Sequence, residues 1–154
     1  AGVIGSTYTS VKNAVSAVLV GDGGAAGISD EVGNVKINNP FSGADVSYIE
    51  SPYSHNSLTD FWHNIQSIKN TWMGGRPESR NSAKSFEAYF KKYAPEINTE
   101  VENALNDAQA KINAIPAPFV LNYSSPKCRE AIEACQNVTN ALNKANDFIQ
   151  NTNK

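Results

Sequence analysis

The chain has 154 residues, of which 40% are hydrophobic, and a formal net charge of −2 at pH 7. Its length is sufficient for one domain with a sizeable core, so residues 1–154 are treated as a single domain. The basic residues are scattered, which argues against a nucleic-acid partner, and no apolar run approaches the roughly 20 residues that span a bilayer. A membrane would therefore be reached only through a lipid anchor outside this chain.

The sequence starts at Ala1 without a recognisable signal peptide. This is expected if such a segment has been removed, or if the chain begins inside a longer protein.

The first predicted helix runs from Val3 to about Val20, because apolar residues recur there at helical spacing. Gly21–Gly24 predicts its end and a turn. The next segment, Ala25–Tyr53, is interrupted by glycine, asparagine and proline, so we expect a long irregular loop with one or two helical turns at Ala25–Glu31. Long loops in compact domains are often functional.

The most strongly patterned helix follows this loop. Ser57 is predicted as its N-cap, with Asp60 three residues later as in a capping box, and Gly74 as its left-handed stop. Apolar residues at steps of three and four form a face that should be buried: Leu58, Phe61, Ile65, Ile68 and Trp72. A neighbouring stripe is polar and mostly neutral: Asp60, Asn64, Ser67 and Thr71. This stripe could line a cleft or form a solvated shoulder.

Three further helices are predicted in the C-terminal half, the first capped by Ser82 or Ser85 and ending at Tyr93. The others span about Pro95–Ala114 and Pro126–Gln150, separated by prolines that cannot continue the helical hydrogen-bond ladder. The sequence therefore predicts an all-α, up-and-down helical bundle of about four main helices and one shorter one, plus a long irregular loop.

Few residues suggest catalytic chemistry. Cys128 and Cys135 would lie about 10 Å apart along one unbroken helix, whereas a disulfide needs Cα atoms within about 7 Å. We therefore predict two buried, unpaired thiols. His55 and His63 are the only histidines, and no H-E-x-x-H motif is present. The residues taken alone do not specify an enzyme.

The stretch from Tyr53 to Asn70, YSHNSLTDFWHNIQSIKN, resembles the second-half motif of the imelysin-like proteins. These are all-helical extracytoplasmic proteins of bacteria, linked to iron uptake and named after an insulin-cleaving protease. Two other segments, Asp30–Ile37 and Ile115–Phe119, are also similar to that family. The G-x-H-x-x-E signature of the family's first half is absent. The resemblance therefore implies that this chain corresponds to the second, C-terminal half.

The resemblance also implies where a site would lie. The family site is located between the two helical halves, so this chain would supply one wall of it. By motif match the candidate ligand-binding residues are Ser54, Asn56, Asp60 and Asn64, with Glu50 as a further candidate. Asp60 is the possible metal ligand. Iron favours hard oxygen donors together with imidazole, and Asp60 is the one plausible carboxylate of this wall. Iron or another divalent metal would therefore need additional ligands from the missing half. Gln66 stands where an arginine is expected in many relatives.

The function implied by the resemblance is that of a binding protein in bacterial iron uptake, periplasmic or attached to the outer membrane. A metal-dependent peptidase and a helical protein-interaction scaffold stay open as alternatives. A missing half would leave apolar surface uncovered, and large exposed apolar patches are unusual in monomers. The expected partner is accordingly a companion N-terminal half on a separate chain, or a second copy in a homo-oligomer.

Overall fold

The computed structural model describes residues 7–43 and 45–152, and no strand occurs among them. In chain order the α-helices are α1 (Val11–Val20), α2 (Ala25–Asp30), α3 (Asn38–Phe41), α4 (Ser57–Met73), α5 (Phe86–Tyr93), α6 (Pro95–Asn113), α7 (Phe119–Asn122) and α8 (Pro126–Asn151). A π-helix, Glu31–Ile37, joins α2 to α3, and 3₁₀ turns occupy Val46–Tyr48, Pro77–Ser79 and Ser82–Lys84. The predicted all-α class is confirmed.

The core forms around the two longest helices, α6 and α8. Helix α8 contacts α1, α2, the π-helix, α3 and α6, whereas α4 contacts α2, α5, α6 and α7. The apolar face predicted for α4 is buried, and α6 buries residues at the same helical spacing. On α4 these residues are Phe61, Ile65, Ile68 and Trp72, and on α6 they are Ile97, Val101, Leu105, Ala108 and Ile112. Leu58 is partly buried against the same core.

Most helix boundaries agree with the sequence. The hydroxyl of Ser85 accepts a hydrogen bond from the backbone N–H of Ala88 at 3.0 Å, which makes Ser85 the N-cap of α5. Gly74 ends α4 in the left-handed region, with φ of 87°. Proline occupies the first turn of both α6 and α8, where its missing N–H breaks no helical hydrogen bond.

The first helix is shorter than predicted. It begins at Val11 rather than Val3, because the side chain of Ser10 accepts a hydrogen bond from Asn13 N at 3.1 Å and so caps the helix there. Tyr8 precedes the helix, and the apolar residues Val11 and Val18 within it are exposed. The part of the prediction before Thr7 lies outside the described residues.

The helical turns predicted at Ala25–Glu31 are confirmed by α2, but the prediction of an irregular loop is wrong for Val32–Phe41. Helical backbone continues from Ala25 to Phe41, through α2, the π-helix and α3. Gly33 does not break this segment. A Cβ atom added to Gly33 would lie only 2.8 Å from Cys135 Cβ, so the glycine allows the π-helix to approach α8 closely. The hydroxyl of Ser29 donates to Cys135 O at 2.9 Å and joins the same two elements.

Both cysteines are free and buried, as predicted. Burial raises the pKa of Cys128 to about 11 and that of Cys135 to about 12. A raised pKa leaves almost no thiolate at neutral pH, and the thiolate is the nucleophile.

We expect iodoacetamide to modify Cys128 and Cys135 in the native protein only as fast as the fold opens. Mass spectrometry of samples quenched over time should show two modified thiols within minutes in denaturant and almost none in buffer. Rapid labelling of either cysteine in the native protein would contradict this placement.

Candidate functional site

The candidate residues surround the N-terminal end of α4, where the chain arrives through a strained turn. Ser51 and His55 adopt left-handed backbone conformations, with φ of 55° and 60°. The backbone N–H of His55 donates to Ser51 O at 3.0 Å and closes the turn. Such conformations are uncommon for residues other than glycine, and they cluster at functional sites.

Asp60 is held by this turn. The hydroxyl of Ser51 donates to Asp60 Oδ2 at 2.7 Å, and the Asp60 side chain is half-buried in the first turn of α4. A carboxylate in this position interacts favourably with the positive end of the helix dipole. The turn therefore fixes the orientation of the one acidic residue of α4.

Glu50 and Ser57 fix the same segment from the other side. Ser57 is only 1% exposed, and its hydroxyl donates to the backbone carbonyl oxygen of Glu50. The carboxylate oxygen Oε2 of Glu50 lies 3.1 Å from Lys36 Nζ, which ties Glu50 to the end of the π-helix.

The predicted role of Ser57 as the N-cap of α4 is wrong. Asn56 precedes the helix, and its side chain makes no capping hydrogen bond. Ser57 is the first helical residue, and its hydroxyl is engaged by Glu50 O instead. The predicted pairing of a Ser57 cap with Asp60 is absent, because Ser51 holds the Asp60 side chain.

The other predicted residues border Asp60 without forming a closed pocket. Ser54 and Asn56 are exposed, and Asn64 is half-buried one turn after Asp60. The hydroxyl of Ser54 makes a long hydrogen bond of 3.4 Å to Ser51 O. Three grooves of about 510, 310 and 240 Å³ on the described surface are lined by other residues. The candidate site is therefore an open polar surface.

The remainder of the polar stripe on α4 lies away from the candidate residues: Ser67 is solvated, and Thr71 lines the groove of about 510 Å³. Ser67 and Thr71 are exposed, and their hydroxyls donate to carbonyl oxygens of their own helix, at 2.7 and 3.0 Å. Gln66 accepts a hydrogen bond from Gln109 Nε2 at 3.0 Å and donates to Asn70 Oδ1, so its amide is engaged between α4 and α6.

The donors of this surface do not fit a metal ion by themselves. Among residues 7–43 and 45–152, no group of three or more His, Cys, Asp or Glu side chains could hold one. His55 and His63 are both exposed, and the His63 ring contacts Trp62 with centroids 5.3 Å apart. Asp60 with Ser54, Asn56 and Asn64 can instead offer one negative charge and several hydrogen-bonding groups to a ligand held partly by another surface.

Sequence reasoning does not identify Ser51, which lies near the end of the predicted irregular loop Ala25–Tyr53. A serine nine residues before Asp60 gives no periodic signal. The contact depends on the left-handed backbone at Ser51, and local sequence rarely specifies that conformation for serine.

The sequence profile named Imelysin, peptidase family M75, matches residues 4–145. The chain belongs to the imelysin family. A solved imelysin peptidase from Bacteroides ovatus superposes with a TM-score of 0.86 and 29% identity, covering 96% of this chain and 43% of that one. A structure from Parabacteroides distasonis ATCC 8503, of a protein proposed to be an iron-regulated protein A precursor, gives a TM-score of 0.85 and 34% identity, covering 93% of this chain and 44% of that one.

This imelysin-family chain therefore spans less than half the length of the two structures. Comparison with curated proteins finds no match. Within the described residues, no helix is both long and apolar enough to cross a membrane.

Proposed function

We propose that this chain is the C-terminal half of an extracytoplasmic binding protein in bacterial iron uptake, and that it forms one wall of a site completed by a second helical half. The observation that carries the proposal is the Asp60 carboxylate. Ser51 orients it at 2.7 Å inside the motif that resembles the family's second half, and exposed polar side chains lie beside it. The wider role in iron uptake is supported by the name of the 34%-identical neighbour.

The partner of this wall is proposed to be a companion helical half. The two similar structures have more than twice the length that this chain covers, so each contains further chain that could face the site. Exposed apolar side chains also occur next to it. Val46 and Tyr48 precede Glu50, Tyr53 is 98% exposed within the turn, and Leu121 belongs to α7, which packs against α4. A second copy of this chain is the alternative occupant.

An extracytoplasmic location, periplasmic or at the outer membrane through a lipid anchor, is part of the same proposal. It is supported by the description of the Parabacteroides distasonis neighbour as a precursor.

A metal-dependent peptidase is the second candidate, favoured by the name of the Bacteroides ovatus structure. Hydrolysis of that kind needs a metal that activates water and a general base. The described residues of this chain offer Asp60 but no complete ligand set, so the catalytic groups would have to come from the companion half. The third candidate is a scaffold that binds a protein partner through the exposed apolar residues, and this role needs no metal.

We expect Asp60→Asn to weaken iron binding by at least about tenfold, since losing even an outer-shell partner of a metal typically costs 10–100-fold in affinity. The protein should be purified with the chain or segment that carries the G-x-H-x-x-E signature. It should then be titrated with Fe²⁺ and Fe³⁺ by calorimetry. The isosteric change removes the charge and keeps the side-chain shape.

Asp107→Asn is the matched control, because Asp107 is exposed on α6 and outside the site. Equal iron affinity for wild type and Asp60→Asn, with unchanged circular dichroism, would contradict the proposed role. Peptide cleavage abolished by a chelator would favour the peptidase instead. If neither iron binding nor cleavage is found, the scaffold is favoured.

A further inference from the structure

A second surface feature lies at the other end of α4 from Asp60. Helices α1, α4, α5 and α8 enclose a groove of about 510 Å³. Its lining residues are Ser10, Val11, Lys12, Val15, Thr71, Lys84, Ser85, Phe86, Tyr89 and Ile149. Thr71 follows Asp60 by eleven positions, or roughly 16 Å along the helix axis. The groove is therefore distinct from the candidate site.

The walls of this groove are mainly apolar. Val11 is 66% exposed at the start of α1, and Val15 lies one turn further along the same helix. The opposite wall consists of Phe86 and Tyr89 on α5, with Ile149 from the end of α8. The volume falls within the roughly 300–1,000 Å³ of typical small-molecule pockets, which are mostly apolar with a few placed polar groups.

The charged groups of the groove have one sign. Among the described residues that line it, Lys12 and Lys84 are charged and no carboxylate is present. The ammonium of Lys12 donates to Gln150 O at 2.8 Å, which positions it and leaves two further N–H donors. Lys84 is exposed at the end of a 3₁₀ turn. The chain as a whole is slightly acidic, with a net charge of −2, so a cationic groove is a local departure.

We propose that this groove binds one molecule of an amphipathic anion of the alkyl carboxylate class. The alkyl chain would lie against Val11, Val15 and Phe86, where it removes apolar surface from water. The carboxylate would lie at the rim with Lys12 and Lys84. An uncharged alkyl ligand would make the same apolar contacts with the walls. The attraction between the carboxylate and the two lysines therefore favours the anion.

Titration of the purified chain with decanoate below its micelle concentration tests the proposal, with decanol as the neutral probe. We expect saturable 1:1 binding of decanoate that is tighter than that of decanol. Val11→Asp should weaken decanoate binding about fivefold to tenfold more than Val11→Asn does, through repulsion at surface dielectric. Both variants should fold, because Val11 is exposed and an acidic residue suits the first turn of a helix.

Lys84→Gln should weaken decanoate binding about threefold, the scale of an exposed ion pair, and leave decanol binding unchanged. Lys144→Gln, an exposed lysine outside the groove, should change neither. The proposal is overturned if decanoate does not bind saturably, if decanol binds as tightly, or if Val11→Asp and Val11→Asn behave alike. Binding found only with anionic phospholipid vesicles would assign the groove to a membrane surface and also overturn it.

Discussion

Replacing Trp72 with alanine is expected to lower the free energy of unfolding by about 3–5 kcal/mol, the range for large aromatic residues removed from a core. Trp72 lies on the buried face of α4 and is 1% exposed. Its ring stacks on Phe90 and Phe86 of α5, with centroids 5.0 and 5.9 Å apart. Alanine would leave a cavity between α4 and α5 that these neighbours fill only in part.

A polar contact adds to the loss. The indole N–H of Trp72 donates to Asn98 Oδ1 at 3.1 Å, and Asn98 is only 3% exposed on α6. Without the indole, a buried amide oxygen has no donor, which costs about 1–3 kcal/mol. The free energy of unfolding of Trp72→Phe should therefore lie between those of wild type and Trp72→Ala, because phenylalanine keeps an aromatic ring against α5 but loses the hydrogen bond.

Urea unfolding followed by circular dichroism measures these differences, provided that the slope with denaturant concentration stays constant. Trp62→Ala is the matched control, since Trp62 lies on the same helix and is only partly buried. We expect Trp62→Ala to lower the free energy of unfolding clearly less than Trp72→Ala does. Equal losses for Trp62→Ala and Trp72→Ala would show that the stacked cluster between α4 and α5 does not stabilise the fold as described.

The faces of the long helices could be predicted because their burial follows a local rule. Phe61, Ile65, Ile68 and Trp72 recur at the period of an α-helix, and the structure buries all four. The end of α4 at Gly74 has a local cause as well, since glycine adopts the left-handed stop without steric cost. Such features require no knowledge of what the helix packs against.

The position of the candidate site along the chain could be predicted from the sequence, but the hydrogen bonds within the site could not. The motif identified the start of α4, yet the contact that orients Asp60 comes from Ser51, across a turn whose left-handed residues are not glycines. Ser57 has the residue type of an N-cap, but a tertiary partner, the Glu50 carbonyl, takes its hydroxyl. When a side chain has several possible hydrogen-bond partners, the fold rather than the sequence spacing determines which one it binds.

The segment Val32–Phe41 shows the same limit for secondary structure. Gly33 and Pro40 are usual signs of a loop, and both occur inside helical backbone here. The π-helix that contains Gly33 is a rare conformation that sequence spacing does not predict. Gly33 is explained only by its neighbour, because Cys135 of α8 lies where a side chain would otherwise be.

We therefore expect Gly33→Ala to destabilise the protein by about 1–2 kcal/mol. Overpacking a core typically costs about 1–3 kcal/mol, and the better helix propensity of alanine offsets up to about 1 kcal/mol of that. The added Cβ would lie 2.8 Å from Cys135 Cβ and 3.4 Å from Ile132 O, so α2 and the π-helix would have to move away from α8. Urea unfolding again gives the free-energy difference.

Gly27→Ala provides a control of opposite sign in the preceding turns of the same segment. A Cβ atom at Gly27 would have its nearest neighbour, Gly21 O, at an ordinary 3.6 Å, so this change should stabilise by up to about 1 kcal/mol. Cys135→Gly should reduce the cost of Gly33→Ala in a double-mutant cycle, because it removes the atom that the new methyl group meets. If Gly33→Ala stabilises the protein as Gly27→Ala does, close contact with α8 is not the reason for glycine at position 33.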